Sequence, residues 1–324
     1  MMEHRTLGRT GFAVSVVGFG AWGIGGAQWQ GGDDLHALEA LRTALAHECD
    51  FIDTALSYGD GHSEKLVAKV LPGSHVTVAT KVPPRNRVWP ARPGVPLAEV
   101  FPADYVTRCA ETSMKNLKRR PDLLQLHVWH DAWLKDPDWP ALARTVEKLL
   151  ARGLIGAFGI SVTEHEPETA LEAVRTWDMV TAVQVIYNVF DQSPVKELFP
   201  LCQERNVGVI ARVPLDEGGL TGTIRPGTTF PQGDFRAGYF TGPRIPELER
   251  RVEAVRPLLM EEAGSMVDGA LRFCISHPAV TTVIPGMRTP AHAVANCAAG
   301  DGRHLSPGLL ARLAEHAWLR NWYP

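Results

Sequence analysis

Short runs of consecutive apolar residues alternate along the chain with longer stretches whose apolar positions recur at i, i+3 and i+4. The short runs cover 16–20, 51–55, 76–82, 123–129, 157–161, 182–188, 208–214 and 281–286, eight in all. The helical-period stretches include 33–47, 103–117, 140–151, 167–177, 195–206 and 265–277. A near-continuous apolar run predicts a strand buried on both faces, as in a parallel sheet, and eight strand–helix units close a barrel. The pattern therefore predicts an α/β fold, a single (β/α)8 TIM barrel domain over 1–324, with an N-terminal β-hairpin at 5–15. Two long segments break the rhythm, 83–102 with six prolines and Trp89, and 218–246, rich in Gly, Pro and Thr before a helix resumes near 247. Both follow strands, which in a barrel puts them on the C-terminal face where active sites lie, although plain surface insertion is the alternative. The pattern gives a last helix at 306–319 but no position for it or for the tail at 320–324.

Composition narrows the partners. The 324 residues are 45% hydrophobic, enough for a sizeable core, and 33 Lys+Arg against 36 Asp+Glu leave a formal charge of −3. That balance gives no electrostatic case for nucleic acid or a membrane surface, so a small-molecule partner is expected. Five cysteines in no CxxC spacing suggest neither a disulfide framework nor a zinc site. His127 and His130 sit three apart on a predicted strand, where side chains face opposite ways, so no metal is expected there either. The polar start MMEHRTLGRTG and the absence of an 18-residue apolar stretch lead to the expectation of a cytoplasmic protein, with oligomeric state open.

The glycines at 18, 20 and 23 spell GxGxxG after an apolar run, and Asp53 ends the next run, which imitates a dinucleotide fingerprint. A doubly wound nucleotide fold needs a helix starting inside that glycine run, because the pyrophosphate sits on its N-terminus. More glycines follow at 25, 26, 31 and 32, and helical periodicity begins only near Asp33. The segment therefore reads as a loop that lets backbone and Trp22 approach a ligand closely.

Polar residues close successive predicted strands: Asp53, then Tyr58 five residues later, Lys81 and His127. A neighbouring ammonium lowers a tyrosine's pKa and a carboxylate holds the ammonium, so Asp53, Lys81 and Tyr58 together would make a tuned proton donor. His127 would polarise a carbonyl oxygen, and the set suits carbonyl reduction with hydride from a cofactor. Singly, each has a structural alternative: a turn for Asp53, packing for Tyr58, solvation for Lys81, a satisfied core histidine for His127. Trp22, Trp89 and Trp129 lie at strand ends and are candidates for an apolar substrate pocket beside Tyr58 and His127, or for simple packing.

The segments 51–64 (FIDTALSYGDGHSE), 78–81 (VATK), 122–127 (DLLQLH), 159–161 (GIS), 184–188 (QVIYN) and 283–286 (VIPG) together resemble the aldo-keto reductase family, in the right order and across nearly the whole chain. The resemblance implies the same barrel, with Tyr58 as general acid/base, Lys81 and Asp53 tuning it, and His127 orienting the carbonyl. It also implies an extended nicotinamide cofactor, with Gly20, Ala21, Trp22 and Asp53 near the reacting centre and Ser161 and Gln184 on the carboxamide. Residues 216–222 (DEGGLTG), Gly218 among them, are similar to the family's pyrophosphate loop, whose glycines offer backbone N–H groups to anions, and Pro214 and Leu215 just before it are further cofactor candidates. This chain departs from the family at Val162, where asparagine is usual, and at Arg212, which replaces an aromatic that stacks on the nicotinamide. Arg212 is expected to stack in its place or to contact phosphate, with Asp216 and Glu217 facing away from the phosphates or pairing with Arg212.

Cofactor choice rests on the last strand and the helix after it. Gly286, Arg288, His292 and Asn296 are the candidates, and Arg288 at a helix start favours NADPH for its 2′-phosphate, with NADH possible. The expected function is reversible NAD(P)H-dependent reduction of an aldehyde or ketone. A cofactor-binding regulatory or redox-sensing subunit with little turnover is the alternative, and a complete proton relay weighs against it.

Overall fold

The computed structural model describes every residue except 27, 72–74 and 324. Strands β1 (His4–Thr6) and β2 (Ala13–Ser15) pair antiparallel as the expected hairpin. The eight parallel strands are β3 (Phe19–Gly20), β4 (Phe51–Asp53), β5 (Thr77–Val82), β6 (Leu123–Leu126), β7 (Ala157–Ser161), β8 (Val180–Ile186), β9 (Gly208–Arg212) and β10 (Val280–Val283). They follow one another in the sheet in chain order. Parallel bridges Val17–Val283 and Gly20–Gly286 bring the first and last strands together and close the barrel. Gly20 has no Cβ because one would lie 2.6 Å from the Ile284 carbonyl oxygen across this seam.

The hairpin plugs the bottom. Leu7 is fully buried against Phe51, Ala79, Leu123, Ala157, Ala182, Ile210 and Ile284, which form an apolar floor inside the barrel. Gly8, at φ +51, makes this possible, since a Cβ there would lie 2.3 Å from the Gly208 nitrogen. A larger core fills the space between the strands' outer faces and the helices. Strand side chains alternate, so the residue two positions beyond each floor residue faces inward one layer higher. That layer is polar: Asp53 follows Phe51, Lys81 follows Ala79, Gln125 follows Leu123, Gln184 follows Ala182 and Arg212 follows Ile210.

Helices at Asp34–Ala46, Ala103–Leu117, Trp139–Ala151 and Met266–Ser276 match the periodicity to within a residue or two, and the first and last start at capping side chains, Asp33 and Ser265. The last helix is shorter than expected, Pro307–Ala314, because the chain leaves it to bond elsewhere: the Trp318 N–H donates to the Phe190 carbonyl at 2.7 Å. The two long loops contain short helices, Leu97–Val100 and Phe235–Tyr239. Among the described residues no helix is long and apolar enough to cross a membrane.

Candidate active site

The polar layer converges on Asp53 and Lys81, both buried, with Lys81 Nζ 2.5 Å from Asp53 Oδ1. The ammonium also donates to the Thr54 carbonyl at 2.9 Å and reaches Tyr58 Oη at 3.3 Å. The other carboxylate oxygen accepts from Gln184 Nε2 at 2.7 Å and from Gln125 Nε2 at 3.3 Å. A buried ion pair is tolerated when further hydrogen bonds satisfy both charges, which is the case here. Burial alone would depress the Lys81 ammonium, but Asp53 and Tyr58 raise it above the usual lysine value. It stays charged at neutral pH.

Tyr58 sits in the turn after β4, where its N–H donates to the Ala55 carbonyl at 3.0 Å. The following Gly59 is at φ +63, and a Cβ there would lie 2.0 Å from the Gly25 carbonyl oxygen; Gly25 in turn lies against Tyr58 Cβ. These two glycines let the backbone around Gly25 lie directly on the tyrosine. The Tyr58 hydroxyl corrects one expectation. Burial pushes its pKa up by more than the Lys81 ammonium pulls it down, so the net shift is upward. His127 lies beside it, ring centroids 5.6 Å apart, with Trp89 edge-on at 5.8 Å. Burial first, then Lys81 and Arg212, hold the imidazole well below its usual pKa, so it is neutral at pH 7. Ser57 Oγ is 3.3 Å from Nδ1, and a proton donated there leaves Nε2–H free to act as a donor.

Around this centre, Ala21 is buried and Trp22 packs on Trp29, Tyr58 and Phe235. Ser161 ends β7, buried and in register with Gln184, whose amide nitrogen is spent on Asp53. The two departures from the family pattern meet: Arg212 Nη2 donates to the Val162 carbonyl at 3.1 Å and to Glu164 at 3.4 Å. Beyond Arg212, Pro214, Leu215 and Gly218 lie in a backbone stretch with positive φ at Val213, Asp216, Glu217 and Gly218. A non-glycine residue held there costs about 1–3 kcal/mol, and a β-branched one such as Val213 is a genuine outlier. The surroundings hold it, for Asn188 Nδ2 donates to the Val213 carbonyl at 2.9 Å.

On the far side, Asn296 is buried and donates to the Gly286 carbonyl at 3.4 Å, while His292 is exposed on the helix Pro290–Cys297. Arg288 reaches from before that helix to the Gln30 carbonyl, at 2.5 Å, and its guanidinium stands 5.9 Å from the Trp29 ring, on which Arg236 also stacks at 4.6 Å. Burial, then the neighbouring Arg236, lowers the Arg288 pKa.

Two further expectations are corrected. Trp129 lines no pocket: it is fully buried, its ring contacts Trp133, Trp139 and Trp177, and its indole N–H donates to Asp131. It lies beyond the end of β6 and turns into the outer core. For Asp216 and Glu217 only the second alternative is corrected: they pair not with Arg212, which is engaged by Glu164, but with the C-terminal tail, where Arg320 forks onto Asp216 and the Tyr323 hydroxyl donates to Glu217 at 2.5 Å. Sequence reasoning also missed Gln125, Ser57 and Phe235. Alternation from Leu123 would have put Gln125 in the polar layer, and Ser57 adjoins Tyr58, but nothing local marks Phe235.

A sequence model of the Aldo/keto reductase family matches residues 16–317. The chain belongs to the aldo-keto reductase family. Similar proteins include the aldo-keto reductase YhdN of Bacillus subtilis, 28% identical over 300 residues covering 89% of this chain and 86% of that one. The NADH-specific methylglyoxal reductase of Escherichia coli is 27% identical, covering 92% and 93% of the two chains. Among solved structures, an aldo-keto reductase from Klebsiella pneumoniae in complex with NADPH superposes with a TM-score of 0.69 at 25% identity, covering 100% of this chain and 98% of that one. This aldo-keto reductase is thus an oxidoreductase of a family whose reaction is NAD(P)H-dependent carbonyl reduction. Its barrel, expected from periodicity, is the barrel of these relatives.

Proposed function

We propose that the whole chain, working as one domain, reversibly reduces a small aldehyde or ketone to an alcohol, with NADPH as the preferred cofactor and Tyr58 as the proton donor. The observation that carries this reading is the buried relay in which Tyr58 Oη lies 3.3 Å from Lys81 Nζ and Lys81 Nζ lies 2.5 Å from Asp53, with a neutral His127 beside the tyrosine. The residues present fit the cofactor: Arg288 Nε and Arg212 Nε are buried N–H groups with no partner among the described residues, as donors meant for an anion would be. Arg288 would hold the 2′-phosphate, Asn296, Gly286 and His292 the adenosine end, the strained loop 214–218 the pyrophosphate, and Ser161 and Gln184 the carboxamide. The relative named as complexed with NADPH supports that choice, and the NADH-specific relative sets the alternative.

When bound, reduced nicotinamide supplies the hydride. The protein's residues do the rest. His127 Nε2–H orients the substrate carbonyl and draws electron density onto its oxygen, which Tyr58 Oη then protonates. The upward shift of the Tyr58 pKa keeps that proton in place through neutral pH, as reduction requires. Lys81, fixed by Asp53, stabilises the phenolate that remains until a proton returns. Trp22 and Trp89 form apolar walls over the mouth. The test is absorbance loss of NADPH and of NADH against a panel of small aldehydes and ketones. The proposal expects turnover with several of them and a lower KM for NADPH; no turnover above the uncatalysed rate with any would refute it.

A further inference from the structure

The tail beyond the last helix meets the loop after β9 at two consecutive residues, and these are two of the four at positive φ: Arg320 on Asp216 and Tyr323 on Glu217. Both acids are buried, so the contacts exclude water. The tail is itself anchored on three sides. Arg320 stacks over Trp318 at 4.2 Å, Trp322 at 4.6 Å and Phe190 at 5.6 Å, and the Trp322 carbonyl accepts from Arg244 at 3.1 Å. The Tyr323 ring packs on Tyr239 at 5.1 Å, His165 at 5.7 Å and Phe235 at 5.9 Å, and Phe235 packs on Trp22 at the catalytic mouth.

Strained backbone persists only where its surroundings over-determine it. From the β8 side Asn188 fixes Val213, and from outside the barrel the two tail contacts fix Asp216 and Glu217. We infer that Arg320 and Tyr323 are positioning residues for the cofactor: the C-terminal tail is a strap that holds loop 213–218 in the conformation that receives the pyrophosphate. The strap acts through Asp216 and Glu217. It also answers why two acids stand in a loop assigned to an anion, since one is neutralised by Arg320 and the other is held by a hydroxyl. This inference rests on the assignment of that loop to the pyrophosphate, so the experiment must separate the two.

Four variants, Arg320→Met, Arg320→Lys, Tyr323→Phe and Gly218→Ala, are titrated with NADPH by fluorescence and assayed for cofactor KM, carbonyl KM and kcat, with Tm recorded for each. Gly218 is at φ +102, so its substitution disturbs the loop directly without touching the tail. Arg320→Met is expected to weaken NADPH binding about tenfold or more, Tyr323→Phe severalfold, with kcat at saturating cofactor and carbonyl KM within about twofold of the parent. Arg320→Lys keeps the charge and recovers part of the loss. A merely structural tail would lower Tm without this split between cofactor KM and kcat. If Gly218→Ala weakens NADPH binding while Arg320→Met and Tyr323→Phe leave it within twofold, the strap is refuted and the loop assignment stands. If none of the four moves it, the loop assignment falls and the strap with it. Should Arg320→Met fail to fold, Tyr323→Phe, which keeps the ring packing, decides alone by the same criterion.

Discussion

The polar layer inside the barrel and the cluster of loop 213–218 with residues 318–323 lie on the same face and are built in opposite ways. In the layer, Asp53, Lys81, Gln125 and Gln184 come from β4, β5, β6 and β8, at heights set by sheet register over an apolar floor. In the cluster, partners such as Asp216 and Arg320 are 104 residues apart and act on strained backbone. On the proposed reading, a rigid ladder sets the proton chemistry, while contacts distant in sequence set how the cofactor is held. Substitutions at Lys81 and Tyr58 should reduce turnover at intact cofactor affinity, and those around the cofactor loops should do the reverse.

The largest effect on the molecule as a whole is expected from Lys81→Met. Removing one member of a buried pair costs about 3–5 kcal/mol, because Asp53 is left charged and unpaired. Tm should fall by roughly 5–15 °C and turnover should collapse; a Tm within 2 °C of the parent, a margin of about 1 kcal/mol or less, would contradict the account of the pair. Next comes Arg288→Ala on the cofactor side. Loss of a charge-assisted hydrogen bond should weaken NADPH about ten- to hundredfold and leave NADH nearly unchanged, so equal effects in paired titrations would remove the 2′-phosphate role.

The smallest effect concerns pH. Burial, against the Tyr323 and Arg212 contributions, raises the Glu217 carboxyl from its ordinary value to about 7. The folded state then keeps a proton that the unfolded chain releases near pH 4.5, so the folded state binds more protons between those values and stability falls as pH rises. Glu217→Gln keeps an acceptor for Tyr323 and removes that slope. It should stabilise the protein at pH 8 by at most about 3 kcal/mol and do nothing at pH 4, as thermal melts at the two pH values would show. An equal gain at both would mean that the carboxyl does not titrate on unfolding.

The same contrast governs what could be read from the sequence. Eight apolar runs yielded eight strands because burial on both faces writes itself locally as a continuous run, and Asp53, Lys81 and His127 stood out as polar residues closing such runs. Trp129 was misread because its position just past β6 looks like a barrel mouth, while the aromatic partners that draw it outward lie at 133, 139 and 177. The direction of the Tyr58 shift was misread because neighbouring charges can be inferred from residue types, whereas burial is a property of the packed fold. The tail was invisible for a further reason. Residues 315–319 continue a helical pattern, and contacts distant in sequence, such as those with Phe190 and Asp216 more than 100 residues earlier, pull the chain out of it.

The central claim is that Tyr58, backed by Lys81, donates the proton and does not itself hold the cofactor, and Tyr58→Phe tests it most directly. NADPH affinity by fluorescence titration and turnover of a reactive aldehyde are measured on the same preparation. The account predicts turnover reduced by about 10²- to 10⁴-fold with the NADPH dissociation constant within twofold of the parent. Turnover within tenfold of the parent at unchanged affinity would contradict it.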